Sequence, residues 1–275
     1  MKQRTAVKDR FKDRVAIVTG GASGIGRSIV EELCKEGARV AFSGISDIGI
    51  STCAELQAQD FDVLFCQGDM ADAAFCTSLV DRTVATFGKI NHLVNNAFSF
   101  TARGMDATRE DWERVFFVGP VGYATMTQCV TPHLIAQGGG SIVCMSSVSA
   151  YIAQPNRWTY NAAKGAVQQL VRCMAYDLSI HNIRVNSVSP GWIWTREVHK
   201  AADIDGGGRE KWDPIWGEYH MLRRCGESVE CAGPTLFLLS DDASFITATD
   251  LAVDGGYLGM GPEGLGKTTV LAGSQ

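Results

Sequence analysis

The sequence predicts an α/β fold: a doubly wound sheet of about seven parallel strands in a single domain. Short apolar runs alternate with longer helical stretches, which is typical of parallel strands joined by crossover helices. The strand candidates are continuous apolar runs, such as VAIVT and RVAFS, as expected of strands buried on both faces. Because crossover connections are right-handed, we expect helices on both faces of the sheet.

The predicted elements follow one another in a regular order along the chain. The strand candidates are Arg14–Thr19, Arg39–Ser43, Asp62–Cys66, Ile90–Val94, Ser141–Met145, Arg184–Val188 and Asp250–Val253. The helix candidates are residues 24–36, 47–59, 72–87, 108–137, 158–180 and 227–239. No linker, internal repeat or low-complexity tract interrupts them, so one domain over residues 1–275 is the simplest organisation.

Two regions depart from this alternation. Residues 192–225 carry four tryptophans and the triplet Gly206–Gly208, and a long insertion of this kind is typical of a lid over a substrate pocket. The tail, residues 257–275, is rich in glycine, and we expect it on the surface or against a neighbouring subunit. Its segment Gly261–Thr268 matches the phosphate-loop pattern GxxxxGK[ST], but too few residues follow for the helix that such a loop needs. ATP binding is therefore not expected.

Composition excludes several classes of function. The formal net charge of −5 predicts no electrostatic attraction to nucleic acid or to an anionic membrane. No apolar run reaches the roughly 18 residues of a membrane span, and the N-terminal MKQRTAVKDRFKDR lacks the apolar core of a secretory signal. The nine cysteines are scattered without a CxxC pair, and the five histidines show no metal-ligand spacing. We therefore expect a cytoplasmic protein with reduced thiols, no metal and a small-molecule substrate.

Two motifs carry the chemistry. The first strand leads directly into the turn TGGASGIG at Thr19–Gly26 and then into a helix, an arrangement whose backbone N–H groups can approach a pyrophosphate. Such a turn can also be a purely structural corner, but its place after the first strand favours a dinucleotide site. Further on, Tyr160 and Lys164 stand four residues apart, on one face of a predicted helix. Ser147 precedes this pair, and we prefer it over Ser146 because of its spacing from Tyr160.

These motifs resemble the short-chain dehydrogenase/reductase family, and the resemblance runs from about Arg14 to Gly256. The motif NNA at Asn95–Ala97 is similar to the NNAG of that family, and SPGWIWT at Ser189–Thr195 looks like the segment that holds a nicotinamide. The resemblance implies a Rossmann-type domain that binds NAD or NADP and assembles as a homotetramer through two helices beside the sheet. It implies an oxidoreductase that transfers a hydride between the cofactor and a secondary alcohol or ketone.

The resemblance also assigns roles to individual residues. It implies that Tyr160 exchanges a proton with the substrate oxygen, that Ser147 hydrogen-bonds this oxygen, and that Lys164 tunes Tyr160 and binds the nicotinamide ribose. In the family, the aspartate matched by Asp69 meets the adenine ring, and the first asparagine of NNAG helps to bind the cofactor. The cofactor-binding residues implied in this way are Gly20, Ser23, Gly24, Ile25, Gly26, Asp69, Met70, Asn95, Ala97, Tyr160, Lys164, Pro190, Gly191, Ile193 and Thr195.

The proposed base needs its proton affinity lowered. The phenol of a tyrosine has an ordinary pKa of about 10, which is too high for a base at neutral pH. A nearby lysine ammonium and an oxidised nicotinamide both favour the phenolate. Lowering the pKa by about 3 units needs roughly 4 kcal/mol, which two close cations can supply in a partly dry site. We therefore expect Lys164 to lower the pKa of Tyr160.

The chain departs from the family pattern at three positions. Phe98 replaces the glycine of NNAG, and Gly119 stands where the family has an asparagine that shapes a helix kink and holds a water feeding the lysine. Gly119 and Pro120 would break the helix by another route, so a water-borne relay and an impaired relay both stay open. At the end of the second strand, Gly44 supplies neither the acidic residue of NAD enzymes nor a base for NADP, so the cofactor preference stays open as well.

The substrate is less constrained than the reaction. Aromatic residues near the site favour a sugar, a polyol or a cyclic alcohol, and the candidates for contact are Trp158, Trp192 and His199. A protein that binds nucleotide on the same fold without turnover, as a sensor or scaffold, is the alternative. Enoyl reduction expects a longer tyrosine–lysine spacing that ends at Val167, which is not a lysine, so that activity is not expected.

Overall fold

The computed structural model describes residues 4–265, which form a parallel sheet between two layers of helices. The seven strands of this sheet are β1 Val15–Val18, β2 Arg39–Gly44, β3 Val63–Gln67, β4 His92–Asn95, β5 Gly140–Met145, β6 Ile183–Pro190 and β9 Asp250–Val253. Their order is β3-β2-β1-β4-β5-β6-β9, and every neighbouring pair is parallel. The predicted fold class is confirmed, and each predicted strand lies within two residues of an observed one.

Nine helices accompany the strands within the described residues. Their bounds are α1 Gly24–Lys35, α2 Ile48–Gln57, α3 Ala73–Phe87, α4 Arg109–Phe116, α5 Gly122–Ala136, α6 Trp158–Leu178, α7 Arg196–Ile204, α8 Gly208–Gly217 and α9 Ser228–Leu239. Helices α3, α5 and α6 bury apolar residues against one face of the sheet, and α1, α2 and α9 bury theirs against the other. Because the strand order reverses between β1 and β4, a crevice opens at the carboxyl ends of these two strands, where open sheets of this kind bind ligands.

The helix predicted over residues 108–137 is divided in two. A wide turn at Phe117–Val121 separates α4 from α5, and Gly119 in its centre has non-helical angles of φ −82° and ψ −109°. Pro120 follows, and it has no backbone N–H to continue the helical ladder. The helix break that Gly119 and Pro120 indicated in the sequence is therefore present.

The segment 192–225 contains regular structure that the sequence did not indicate. It holds α7 and α8, and the short strand β7 Ile193–Trp194 pairs with β8 Gly226–Glu227 just beyond it. The side chain of Thr195 caps the start of α7 by accepting a hydrogen bond from the N–H of Val198. The triplet Gly206–Gly208 has positive φ angles of 73°, 94° and 55°, so these glycines permit the sharp turn between the two helices.

Two further sequence predictions concern the ends of the chain. The last three residues of the phosphate-loop match, 266–268, lie outside the described residues, as does most of the predicted tail. Within residues 4–265, no helix is long and apolar enough to cross a membrane. In the same part of the chain, no group of three or more His, Cys, Asp or Glu side chains could hold a metal ion.

Candidate active site

Two adjoining cavities open at the carboxyl ends of the central strands. The first has a volume of about 460 Å³ and is lined by the glycine-rich turn and by the ends of β2, β3 and β4. The second has a volume of about 390 Å³ and is lined by the loops after β5 and β6 and by the start of α6. Ile25, Asn96, Phe98, Phe100 and Thr195 line both, so the cavities meet to form one elongated site.

The glycine-rich turn shapes the first cavity because side chains have no room there. A Cβ added to Gly26 would lie 2.2 Å from the carbonyl oxygen of Gly20. Gly20 itself has a φ of 65°, and a Cβ there would lie 2.9 Å from Cα of Ala97. The cap residue of α1, Ser23, makes no side-chain capping bond, and the first turn carries no acidic residue. The backbone N–H groups at this end of α1 therefore suit a phosphate.

The far end of the first cavity carries the predicted aspartate. Asp69 lines the cavity beside Met70 and accepts hydrogen bonds from Arg114 at 2.5 Å and from the N–H of Ala71 at 3.0 Å. Burial raises the pKa of Asp69, but the two hydrogen bonds and the charge of Arg114 outweigh burial, so its pKa lies below the ordinary value. Arg114 also lines the cavity, and no sequence motif indicated its contact with Asp69.

The edge of the first cavity at the end of β2 is neutral. It consists of Gly44, Ile45 and Ser46. Asp47 does not line the cavity, and its carboxylate accepts a hydrogen bond from Gln67 at 2.9 Å. This edge therefore offers no carboxylate to bind ribose hydroxyls and no cation to bind a 2′-phosphate.

The two asparagines at the end of β4 lie in different surroundings. Asn95 is fully buried and lines neither cavity; its amide donates to the carbonyl oxygen of Tyr123 at 3.3 Å. Asn96 lines both cavities and donates to the carbonyl oxygens of Thr19 and Gly20 at 3.0 and 3.1 Å. The side chain of Asn95 thus points into the core, away from both cavities, and its contact with a cofactor stays a prediction. Asn96 is the residue that sequence reasoning missed.

The second cavity brings the three expected catalytic side chains together. Ser147, Tyr160 and Lys164 all line it, and Tyr160 and Lys164 are exposed by only 8% and 3%. Ser147 Oγ accepts a hydrogen bond from the N–H of Ser149 at 3.1 Å. Lys164 Nζ donates to the carbonyl oxygen of Met145 at 2.8 Å, and its distance to the ring centre of Tyr160 is 5.6 Å. Ser146 also lines this cavity, and its hydroxyl donates to the carbonyl oxygen of Lys164 at 3.5 Å.

The proton affinities differ from the expectation. Burial raises the pKa of Tyr160, and the hydrogen bond with Ser147 and the positive charge of Arg157 only partly oppose this effect. Burial also lowers the pKa of Lys164 to about 7. Lys164 is not among the groups that lower the pKa of Tyr160, since its ammonium turns toward the carbonyl of Met145. In the absence of a cationic nicotinamide, the site thus favours the neutral phenol.

Aromatic and polar side chains complete the second cavity. The rings of Phe98 and Phe100 lie against Tyr160, with ring centres 5.4 and 5.8 Å from that of the tyrosine. The polar groups of this cavity come from the loop before α6. There the hydroxyl of Ser149 donates to Gln154 at 2.7 Å, and Arg157 lies over the ring of Trp192. Sequence reasoning missed Ser149, Gln154 and Arg157, although their place between Ser147 and Tyr160 was a signal for them.

The remaining predicted residues divide between the cavity and its surroundings. Trp192 lines the second cavity, as do the expected cofactor residues Pro190, Gly191, Ile193 and Thr195. Trp158 is 54% exposed and lines none of the cavities, because it stands on the outer side of the first turn of α6. His199 packs against Trp194 at 4.8 Å between ring centres and also lines no cavity. The expected substrate contacts of Trp158 and His199 are therefore not supported by the structure.

The tryptophans of segment 192–225 form a cluster of their own. Trp216 stacks on Trp192 and Trp212 with ring centres 4.8 and 5.0 Å apart, and it lies 5.7 Å from Trp194. This cluster is separate from the two cores that pack against the sheet. Segment 192–225 therefore packs largely on itself, with Trp192 at its border with the second cavity.

Comparison with known proteins gives one family. The model of a family described as enoyl-(acyl carrier protein) reductase matches residues 20–258. A cyclopentanol dehydrogenase of Comamonas sp. (strain NCIMB 9872) is 34% identical over 90% of this chain and 98% of its own. An NADP-dependent (R)-specific alcohol dehydrogenase of Lentilactobacillus kefiri is 34% identical over the same shares. The crystal structure of carveol dehydrogenase from Mycobacterium avium in complex with NAD is similar with a TM-score of 0.86, at 28% identity, over 92% of this chain and 100% of that one.

Proposed function

The chain belongs to the short-chain dehydrogenase/reductase family, and from this premise we propose that it is an NAD(P)-dependent oxidoreductase of secondary alcohols and ketones. One observation carries the proposal: Ser147, Tyr160 and Lys164 line a cavity that adjoins the glycine-lined cavity. A hydroxyl, a phenol and an ammonium around one pocket can exchange a proton with an alcohol oxygen. The adjoining cavity suits a dinucleotide, which supplies the hydride acceptor or donor when bound.

In this proposal, Tyr160 is the general acid and base. It takes the proton of the alcohol during oxidation and returns a proton to the carbonyl oxygen during reduction. Ser147 orients the substrate oxygen through a hydrogen bond and, through its bond to Tyr160, opposes the effect of burial on the pKa of the phenol. Lys164 lines the second cavity with its ammonium 5.6 Å from the ring centre of Tyr160, and in this proposal it binds the ribose hydroxyls of the cofactor.

We propose NAD or NADP as the cofactor without a strong preference. One relative is named for its dependence on NADP, and one similar structure contains NAD. The neutral edge at Gly44, Ile45 and Ser46 neither repels a 2′-phosphate nor binds it through a cation. Measured KM values for the two cofactors test this expectation, and a difference above about 100-fold, or roughly 2.7 kcal/mol, would contradict it.

The substrate in this proposal is a cyclic secondary alcohol or a sugar-like polyol. The walls formed by Phe98, Phe100 and Trp192 suit the face of a ring, while Gln154 and Arg157 offer hydrogen-bond donors to its polar groups. Relatives named for cyclopentanol and carveol are consistent with a ring substrate.

The first experiment is a spectrophotometric screen. Absorbance at 340 nm is followed with NAD or NADP and a panel of cyclic alcohols, sugars and ketones, and we expect turnover with members of the cyclic series. Tyr160→Phe should bind cofactor normally and lose turnover by about 100-fold or more. Cofactor binding without turnover of any member would instead indicate a nucleotide sensor or scaffold. An enoyl thioester in the panel serves as a negative control, and its efficient reduction would contradict the proposed reaction.

Three finer features complete the proposal. We expect segment 192–225 to act as a lid, so tryptophan fluorescence should change when cofactor and substrate bind together.

We expect a homotetramer, as the family resemblance implies, which light scattering after gel filtration can test. A cytoplasmic location is supported by the nine cysteines, all of which are free thiols, and cell fractionation can test it.

A further inference from the structure

The ring of Phe98 fills the space that a side chain at position 119 would need. Phe98 follows the end of β4, and Gly119 lies in the wide turn between α4 and α5. A Cβ added to Gly119 would lie 2.5 Å from Cε2 and 3.0 Å from Cζ of Phe98. The phenyl ring therefore leaves no room for a side chain at position 119.

The face of this ring lies against the ammonium of Lys164. Nζ of Lys164 lies 3.5 Å from the ring centre of Phe98, and the edge of the ring approaches Tyr160 at 5.4 Å between ring centres. Besides Phe98, the groups around Lys164 are Tyr160 on its own helix, the Cys144 thiol from β5 and the Tyr123 hydroxyl from α5. None of these groups, all of which belong to the described part of the chain, is a carboxylate. Burial raises the pKa of Cys144 to about 12 and that of Tyr123 well above its ordinary value, so both stay neutral.

We propose that Phe98 is a positioning residue whose ring, seated in the space left open by Gly119, holds the ammonium of Lys164 by a cation–π contact. The proposal rests on the proposed function, because it assigns a role relative to Lys164. The negative face of a phenyl ring attracts an ammonium, and the attraction is strongest where water is excluded. Since no carboxylate within residues 4–265 pairs with Lys164, the ring and the carbonyl of Met145 are the groups that stabilise this buried charge.

The ring of Phe98 fills the space beside Gly119, so an aromatic side chain packs against the break between α4 and α5.

The proposal has a consequence for the pH dependence of oxidation. The reaction needs a deprotonated Tyr160 beside a protonated Lys164. Burial holds the pKa of Lys164 at about 7, so any loss of support for the ammonium lowers it further. Activity would then be lost at a lower pH on the alkaline side of the profile.

Replacement of Phe98 by pentafluorophenylalanine tests the contact with little change of shape. Fluorination removes the negative face of the ring and keeps its approximate volume. We expect the alkaline limb of kcat/KM for oxidation, at saturating cofactor, to move down by about one pH unit. Phe98→Leu, which also lacks an aromatic face, should move it in the same direction. A purely space-filling role predicts that the fluorinated enzyme keeps the wild-type limb, and that result would overturn the proposal.

Substitution of Gly119 provides a second and independent test of the contact. Gly119→Ala should push the ring away from Lys164 and shift the limb downward although Phe98 is retained. In the double variant Phe98→Ala, Gly119→Ala, the added methyl group has room, so the two substitutions should be strongly non-additive. Additive effects would show that the positions act independently and would contradict the pairing. Urea unfolding and cofactor titration establish that each variant is folded.

Failure of this inference is distinguishable from failure of the proposed function. If Tyr160→Phe still turns over substrate, the assignment of the base is wrong, and the inference about Phe98 fails together with the proposed function. If Tyr160→Phe is inactive and the fluorinated enzyme has the wild-type pH profile, only the role of Phe98 is wrong.

Discussion

The proton affinity of Tyr160 is set by neighbours that act in opposite directions. Burial raises its pKa, while the hydrogen bond with Ser147 and the charge of Arg157 lower it. Arg157 lines the same cavity as the phenol and stands immediately before α6, which carries Tyr160. A cation that lines the same cavity therefore favours the phenolate of the proposed base. Lys164 is not among these neighbours, since its ammonium donates to the carbonyl oxygen of Met145.

The role of Arg157 leads to a prediction about pH. In Arg157→Gln the pKa of Tyr160 should rise, because a cation that favours the phenolate has been removed. Oxidation requires the phenolate, so the acidic limb of its pH profile should move to higher pH. Turnover at pH 7 should fall several-fold, while the alkaline limb, which depends on Lys164, should stay in place. Steady-state oxidation rates between pH 6 and pH 10 provide the measurement.

Two variants make this prediction specific. Arg157→Lys retains the charge and should keep most of the wild-type profile. Lys200→Gln removes another cation from the same cavity, but Lys200 is paired with Glu197 at 2.9 Å and is not among the causes of the Tyr160 shift. We expect it to leave the acidic limb in place. A matching shift in Lys200→Gln would mean that net charge, not the position of Arg157, is responsible.

At the scale of secondary-structure elements, segment 192–225 depends on its own small core. Trp216 is 7% exposed and contacts three other tryptophans, which join α8 to β7 and to the wall of the second cavity. Because this core is separate from those beneath the sheet, its loss should loosen the segment without unfolding the domain.

Trp216→Ala should therefore weaken substrate binding more than overall stability. Truncation of a buried tryptophan typically lowers stability by about 3–5 kcal/mol. Here this loss should destabilise segment 192–225 and not the rest of the domain. We expect KM for the substrate to rise at least about ten-fold, with faster hydrogen exchange confined to residues 196–217. Trp158→Ala is the matched control, since Trp158 is exposed and lines no cavity, and its KM should stay near that of the wild type. A fall in the global unfolding midpoint with unchanged KM would contradict a separate lid core.

What the sequence could predict depended on how local each contact is. The pairing of Tyr160 and Lys164 was predictable because four residues on a helix fix it. The choice between Asn95 and Asn96 was not, since side chains alternate at a strand end and one residue decides which of them faces the cavity. The contact of Phe98 with Gly119 joins positions that are distant in the chain, so no spacing rule reports it.

At the scale of the whole molecule, His92 connects three parts of the fold beneath the sheet. It begins β4, its Nδ1 lies 2.8 Å from Ser141 Oγ on β5, and that hydroxyl donates to the carbonyl of Leu239 at the end of α9. The ring of Phe11 packs edge-on against it at 5.4 Å. The site is remote from the two cavities, and its polar groups serve packing rather than chemistry.

The burial of His92 gives a prediction for acid stability. Burial, together with the positive charges of Arg14 and Arg184, lowers its pKa to about 3, whereas an unfolded chain takes up the proton near pH 6.5. Below pH 6.5 the proton therefore stabilises the unfolded state alone, and this histidine should reduce the free energy of unfolding by about 2 kcal/mol at pH 5. The loss should continue as pH falls toward 3. Urea unfolding at a fixed protein concentration, between pH 8 and pH 4, measures this slope.

His92→Asn separates the titration from the packing. Asparagine can still donate to Ser141 but cannot take up a proton in this range, so the variant should be less stable at pH 8 and lose less stability on acidification. The pH 8 value calibrates the packing cost, because the histidine is neutral there in both states. The difference in unfolding free energy between the two proteins should therefore shrink by about 2 kcal/mol from pH 8 to pH 5. A constant difference across this range would show that His92 titrates alike in the folded and unfolded chains, which its burial beneath the sheet forbids.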